Sequence, residues 1–422
     1  MNYCRKTKLI RVVIFLFCSL ASVFVMAQPR QKTNSELLKK INNGLNESVQ
    51  QYSYLMRHMP NDQFPRTYEK DKLQAVGIHA WVSGFYPATL LYLYEDSKDD
   101  SLKKEAYEKL KLLQPLQFVT NTHDLGFMMY CSYGNAYRMD GNNDEKNILV
   151  QSAKSLATRF NPKVGCIQSW NNIKSLDGKR ILTYPVIIDN MMNLELLFFA
   201  SKATGDSSFK NIAVTHAVNT MKNHLRPDYS SYHVVDYDSQ TGAVKSRETM
   251  QGFSDNSTWS RGQAWGIYGF TMVYRETREQ RFLETAKRMA DYFIAHLPKD
   301  KIPYWDFNVN QKGYTPVWNY DPSKYPEPPR DASAAAIAAS ALIELSGYVD
   351  HPNSKKYLKT AEGILSTLLS PAYKASAGEN GGFILKHGVG GFPGGIEVDV
   401  PLTYADYYFV EAMLRYKNLS KQ

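Results

Sequence analysis

The sequence predicts an all-α fold, an (α/α)6 toroid built as one catalytic domain. Three observations predict it. Helical periodicity recurs along the whole chain, helices of two compositions alternate, and the connections alternate between short and long.

Residues 1–27 are set apart first, as a secretory signal peptide. Arg5, Lys6, Lys8 and Arg11 precede an apolar stretch from Val12 to Phe24, and Ala27 supplies a small residue at the expected cleavage point. The catalytic domain is then 28–422, and the protein is expected to be exported, to the periplasm or beyond. An amphipathic helix is predicted over 34–57. Next, "AWVSGFYPATLLYLY", from Ala80, is apolar nearly all round, and a charged, one-faced segment follows at 101–115. The couple repeats as "LGFMMYCSYGNAY" with 145–160, "DNMMNLELLFFASKA" with 208–225, "GQAWGIYGFTMVYRET" with 280–297 and "ASAAAIAASALIEL" with 353–369. "YADYYFVEAMLRY", from Tyr404, closes the series. Helices apolar on every side belong inside, and one-faced helices belong at the rim.

The junctions leaving the apolar helices are short and polar, as in "YEDSKDDSLKK" and "SKATGDSSFKN". The segments entering them are longer: 162–188, 226–261, 299–331 and 371–403. Long loops gathered on one face of a rigid scaffold are where binding and catalysis usually sit.

Composition narrows the class. The formal charge is +9, and loss of the leader removes four basic residues and no acid, leaving +5. That suits acidic ligands and is too mild for nucleic acid. After the leader no stretch is long and charge-free enough to span a bilayer. Only Cys131 and Cys166 lie beyond the leader, so this is no disulfide scaffold. The nine His include no HExxH and no Cys/His cluster, so neither a metal nor another cofactor is expected.

Residues at the starts of the inner helices converge on the long-loop face. They are Trp81, His123 with Asp124, Asp189 with Asn190, Trp259 with Arg261 and Trp265, Asp331 with Ser333, and Tyr404 with Asp406. Acids, a guanidinium and aromatic faces around one mouth make a carbohydrate-like site. Plainer readings compete. Asp124, Asp189 and Asp331 all stand where an N-cap would, and capping alone explains any one of them. Trp81 and Trp265 are by default core aromatics. Arg261, just before an apolar helix, needs an anionic partner, either a neighbouring Asp or a ligand.

Five motifs, "HDLGF", "DNMMN", "SRGQAWGIYG", "DASAAAIAASAL" and "DVPLTYADYYFVEAM", occur in this order from about Trp81 to Leu414. Together they resemble the unsaturated glucuronyl hydrolases, glycoside hydrolase family 88. The resemblance implies a toroid that removes a 4,5-unsaturated uronic acid from the non-reducing end of lyase-generated oligosaccharides of glycosaminoglycan type. It implies Asp189 as general acid/base and Asp124 as the second essential acid. The family's sugar-binding positions fall on Trp81, His123, His233, Gln251, Arg261 and Trp265. Its Ser-rich sulfate-contacting pattern is absent, since Gly381 and Ile384 stand before Lys386.

The implied chemistry suits the residues. The substrate is an enol ether, so a protonated Asp189 can deliver its proton to C4 and leave oxocarbenium character at C5. The carboxylate then takes a proton from the water that attacks C5, and the hemiketal opens. One carboxyl serves as acid and then base, which needs a pKa near the working pH; apolar flanks supply it by desolvation. Three alternatives stay open: an unsaturated rhamnogalacturonyl hydrolase acting on pectin fragments, a glycosidase for saturated glycans, and a non-catalytic glycan-binding protein.

Overall fold

The alternation read from the sequence is realised helix by helix. The computed structural model describes residues 33–421, so the signal-peptide reading of residues 1–27 lies outside the described residues. Outer helices run Ser35–His58, Asp100–Leu113, Asn143–Ala157, Ser207–Asn223, Gln280–Ala295 and His351–Leu368. Inner ones run Phe85–Ser97, Gly126–Gly134 continued by Asn135–Asp140, Asn190–Thr204, Ser260–Thr277, Ala332–Ser346 and Thr403–Leu419. Each inner helix packs on the next, and Thr403–Leu419 packs back on Phe85–Ser97, which closes the ring.

Burial follows composition. From Ser260 to Tyr274 every residue of the fourth inner helix is buried. Its outer neighbour buries Phe282, Leu283, Ala286, Met289, Ala290 and Phe293, a three-and-four spacing that paints one face. The short junctions have a common construction. Lys98, Gly141, Gly205 and Arg278 each adopt the left-handed conformation and bond back into the helix just ended. Three of these are followed at once by a side-chain cap: Asp99 accepts from Ser101 N–H, Asn142 from Asp144 N–H and Asp206 from Ser208 N–H. One residue turns the chain and the next starts the outer helix, so these junctions add no loop at that end.

Two local differences from the sequence reading affect the site. The first inner helix begins at Phe85, so Trp81 sits in the turn before it and not on it. The second begins as a π-helix, Gly126–Gly134, before continuing as Asn135–Asp140. The long loops also carry short antiparallel pairs that helical periodicity does not reveal. Those bearing on the site are Pro185–Ile187 with Val234–Tyr237 and Val244–Glu248, and Gly388–Gly391 with Ile396–Val400. Cys131 and Cys166 are both free thiols.

Candidate active site

The site is assembled where strand and inner helix meet. Ile187 pairs with Val234, and Ile188 N–H donates to the His233 carbonyl at 3.0 Å. The chain therefore leaves the sheet at Asp189, beside His233, and enters the helix at Asn190. His233 Nδ1 accepts from the Met250 and Gln251 amides at 3.1 and 3.3 Å. This assigns the ring proton to Nε2, which lies 3.8 Å from Asp189 Oδ2.

Asp189 occupies the N-cap position but makes no capping hydrogen bond. Its backbone is already helical, with φ −56° and ψ −26°, and capping side chains fold back from an extended residue. Oδ2 is buried without a partner. Capping therefore does not explain this carboxylate. Nor does it explain Asp124, which accepts from Thr122 Oγ1 at 2.8 Å and lies 3.3 Å from His123 Nε2. Asp331 alone of the three is a cap, accepting from Ser333 N–H at 3.0 Å. Burial pushes the Asp189 carboxyl up to about 7; the Arg261 charge opposes this and the Asp124 charge adds to it.

The two acidic motifs are clamped together. Asn193 Oδ1 accepts from Phe127 N–H at 2.9 Å, and its Nδ2 lies 3.4 Å from His123 Nδ1. A Cβ on Gly126 would sit 2.4 Å from Asn193 Cα, so only glycine permits this approach. Asn190 donates to the Ile167 carbonyl at 2.8 Å and ties the helix start to the preceding loop. In "DNMMN" and "HDLGF" the acids face the cavity and the neighbouring residues fix their spacing.

Arg261 finds its anionic partner in the protein. Nη1 donates to Asp331 Oδ2 at 3.2 Å and to the Val389 carbonyl, and Nη2 donates to the Gly390 carbonyl at 2.6 Å. A guanidinium has five N–H donors. Nε–H and one Nη2–H remain, two donors on adjacent nitrogens, which is what a carboxylate takes. The group lies over the Trp259 ring at 4.4 Å, which helps support its charge in a buried setting.

A cavity of about 140 Å³ is lined by Trp81, His123, Asp124, Phe127, Trp170, Ile187, Asp189, Gln251 and Arg261. That is well under the roughly 300–1,000 Å³ of drug-sized pockets and suits one small ring. Asp189 Oδ2, His123 Nε2, His233 Nε2, Arg261 Nε and Trp265 Nε1 are all buried without a protein hydrogen-bond partner. Such atoms are rare in folded proteins, and here they cluster. Six of the eight predicted residues line the cavity. His233 and Trp265 stand behind it: the former flanks Asp189, and the latter packs on Phe127 at 5.1 Å.

Asp331 and Asp406, at other inner-helix starts, do not reach the cavity; they hold backbone instead. Trp170 and Ile187 line it without having been singled out. Trp170 is the one Trp of the loop 162–188, a signal that periodicity does not capture. Among the described residues no group of three or more His, Cys, Asp or Glu is placed to hold a metal ion.

A larger cavity, about 480 Å³, opens near the far ends of the inner helices. Its charged groups are all paired: Arg275 with Glu195, Glu276 and the neighbouring Glu344, Arg415 with Glu344 and Glu411, and Arg138 with Glu95. With those charges already neutralised, it is not where the reacting groups converge.

No family model matches the chain. It is 41% identical to an unsaturated glucuronyl hydrolase of Formosa agariphila, over 97% of this chain and 99% of that protein. It is 33% identical to an unsaturated chondroitin disaccharide hydrolase of Streptococcus pyogenes serotype M1, over 92% and 94% of the two chains. The fold matches the crystal structure of an unsaturated glucuronyl hydrolase specific for heparin, with TM-score 0.83 and 44% identity, covering 91% of this chain and 98% of the other.

Proposed function

This chain belongs to the unsaturated glucuronyl hydrolases, and from that premise we propose how its own residues carry the reaction. The enzyme is a glycoside hydrolase that removes the 4,5-unsaturated uronic acid from the non-reducing end of lyase-generated, glycosaminoglycan-type oligosaccharides. Asp189 delivers a proton to C4 of the enol ether. Positive character then develops at C5, and the new carboxylate takes the proton of the water that adds there. The hemiketal collapses and releases the rest of the oligosaccharide.

One observation carries the assignment of Asp189. It is a buried acid that caps no helix and leaves Oδ2 without a donor, and, unlike the equally buried Asp406, it faces a ring-sized cavity together with Asp124. Burial and the Asp124 charge keep it protonated towards neutrality. Asp124, Gln251 and His123 orient sugar hydroxyls, Trp81 and Trp170 offer aromatic faces, and the two remaining Arg261 donors take the uronate carboxylate. His233 Nε2–H stands ready for Asp189 once it is charged.

Asp189→Asn is expected to bind unsaturated disaccharide and to lose most turnover, read as disappearance of the C4=C5 absorbance. Substantial remaining turnover would remove Asp189 from the mechanism. For substrate class, we place heparin-derived disaccharides ahead of 6-sulfated chondroitin ones. The 44% identity to an enzyme specific for heparin supports this. Gly381 and Ile384 offer no hydroxyl for a sulfate, and the Lys386 ammonium donates to the Pro371 carbonyl at 2.9 Å. Rates on both disaccharides rank them. Export likewise rests on the leader-like residues 1–27, and N-terminal sequencing of the enzyme from the periplasmic fraction tests it.

A further inference from the structure

Asp406 lies outside the cavity and is fully buried on the last inner helix. A buried carboxylate needs a compensating set of donors, and this one has three. Oδ2 accepts from the Ile384 amide at 2.9 Å and Oδ1 from the Leu385 amide at 2.8 Å, while Tyr52 Oη approaches Oδ2 at 3.4 Å. None of these donors is charged, and burial pushes the carboxyl up to about 7.

What those two amides begin is the segment that ends on Arg261. Five residues on from Leu385, the Gly390 carbonyl accepts from both Arg261 Nη2 and Gln251 Nε2, at 2.6 and 2.9 Å. The Val389 carbonyl accepts from Arg261 Nη1. Between them, the His387 carbonyl accepts from Ala332 N–H at 3.0 Å, next to the Asp331 that pairs with Arg261. The segment is therefore pinned at one end by Asp406. At the other end it holds Arg261 and Gln251, two of the side chains that line the cavity. Gly388 lets it pass: a Cβ there would meet Leu402 at 2.6 Å.

We propose that Asp406 is a positioning residue for the reaction, setting the orientation of the Arg261 guanidinium through the segment 384–390. It touches no substrate. By fixing where the Val389 and Gly390 carbonyls stand, it decides which Arg261 N–H groups are consumed by the protein and which two point at the substrate carboxylate. The proposal rests on the reading of Arg261 as the carboxylate-binding residue.

The test is a double-mutant cycle with Asp406→Asn and Arg261→Lys, measured as KM and kcat on an unsaturated disaccharide. Asn is nearly isosteric, but its amide group opposes one of the two N–H donors. Lys leaves Asp331 a cation and removes the planar fork. Asp406→Asn is expected to raise KM about tenfold with a smaller change in kcat, since small misplacements of a binding group are costly. In the Arg261→Lys background the same change is expected to shift KM less than about twofold, because coupled residues are non-additive. A purely structural Asp406 would lower the melting temperature and the active fraction and leave KM alone, which overturns the proposal. So does an equal KM rise in both backgrounds. If Arg261→Lys itself leaves KM unchanged while Asp406→Asn raises it, the Arg261 reading has failed instead. Should Asp406→Asn not fold, Tyr52→Phe removes the hydroxyl that makes the 3.4 Å contact to Asp406 and keeps the ring. That variant is expected to raise KM about twofold in the wild-type background and to leave it unchanged in the Arg261→Lys background, by the same non-additivity. No change in either background refutes the proposal.

Discussion

Replacing Asp189 by Asn should make the enzyme both inactive and more stable, and the gain in stability should grow with pH. The Asp189 carboxyl is raised from 3.8 to about 7 in the fold. Between those values the folded chain holds a proton that the unfolded chain has released, so the folded state loses about 1.4 kcal/mol per pH unit. The stability associated with the neutral acid is complete below pH 3.8 and gone once pH has risen through about 7. Asn carries no such proton. Between pH 5 and pH 8.5 the wild type should therefore lose about 3 kcal/mol relative to Asp189→Asn. For about 390 folded residues the unfolding entropy is about 0.8 kcal/mol/K, so the melting-temperature gap should widen by roughly 3–4 °C over that interval. Asp406, also raised to about 7, is present in both proteins and cancels. Calorimetry of the two proteins across this pH range is the assay, with turnover measured on the same samples. A gap that is constant with pH, or that narrows as pH rises, would refute the claim that Asp189 is a buried acid kept protonated by its surroundings.

Four further outcomes are expected. The rate on unsaturated disaccharide should fall on the alkaline side with an apparent pKa near 7, as Asp189 loses the proton it must donate; a profile flat to pH 9 contradicts this. Asp124→Asn should cut turnover and also move that alkaline limb to lower pH, because a negative charge that raises the Asp189 pKa has gone; pH–rate profiles of the variant show it. Gly126→Ala should lose about 1–3 kcal/mol by overpacking against Asn193, seen by urea denaturation, with activity falling because the two acidic motifs are pushed apart. Arg275→Met, at the far end of the barrel, should cost about 2–3 kcal/mol by leaving Glu195 and Glu344 short of a cation, with KM within about twofold of wild type.

The helical architecture was legible because its physics is local and periodic. A helix such as Ala332–Ser346, with nearly every residue buried, cannot be anything but internal, and one whose apolar residues recur every three or four positions must lie at a rim. The short turns were legible as polar junctions such as "YEDSKDDSLKK", while the caps made there by Asp99, Asn142 and Asp206 came from the structure. The short strands were not legible, since Pro185–Ile187 is held by Val234–Tyr237, some fifty residues away, and three residues carry no period of their own. Nor was the π-helix at Gly126–Gly134, whose first turn is bonded to Asn193 of the next inner helix, some sixty-six residues on.

The same division runs through the site. The residue types and their order at the helix starts were enough to select Asp189, Asp124 and Arg261 by their likeness to a known motif set. Which of Asp124, Asp189 and Asp331 spends its carboxylate on capping was beyond residue type and spacing, because all three stand at helix starts where a cap alone would explain any one of them. Only the tertiary structure separated them. Asp331 turns to its own helix and to Arg261, Asp406 turns to the backbone of a loop, and Asp189 is left facing a cavity with no donor strong enough to keep it charged. Chain composition determined the ring; the donors that reach each carboxylate across the ring determined its chemistry.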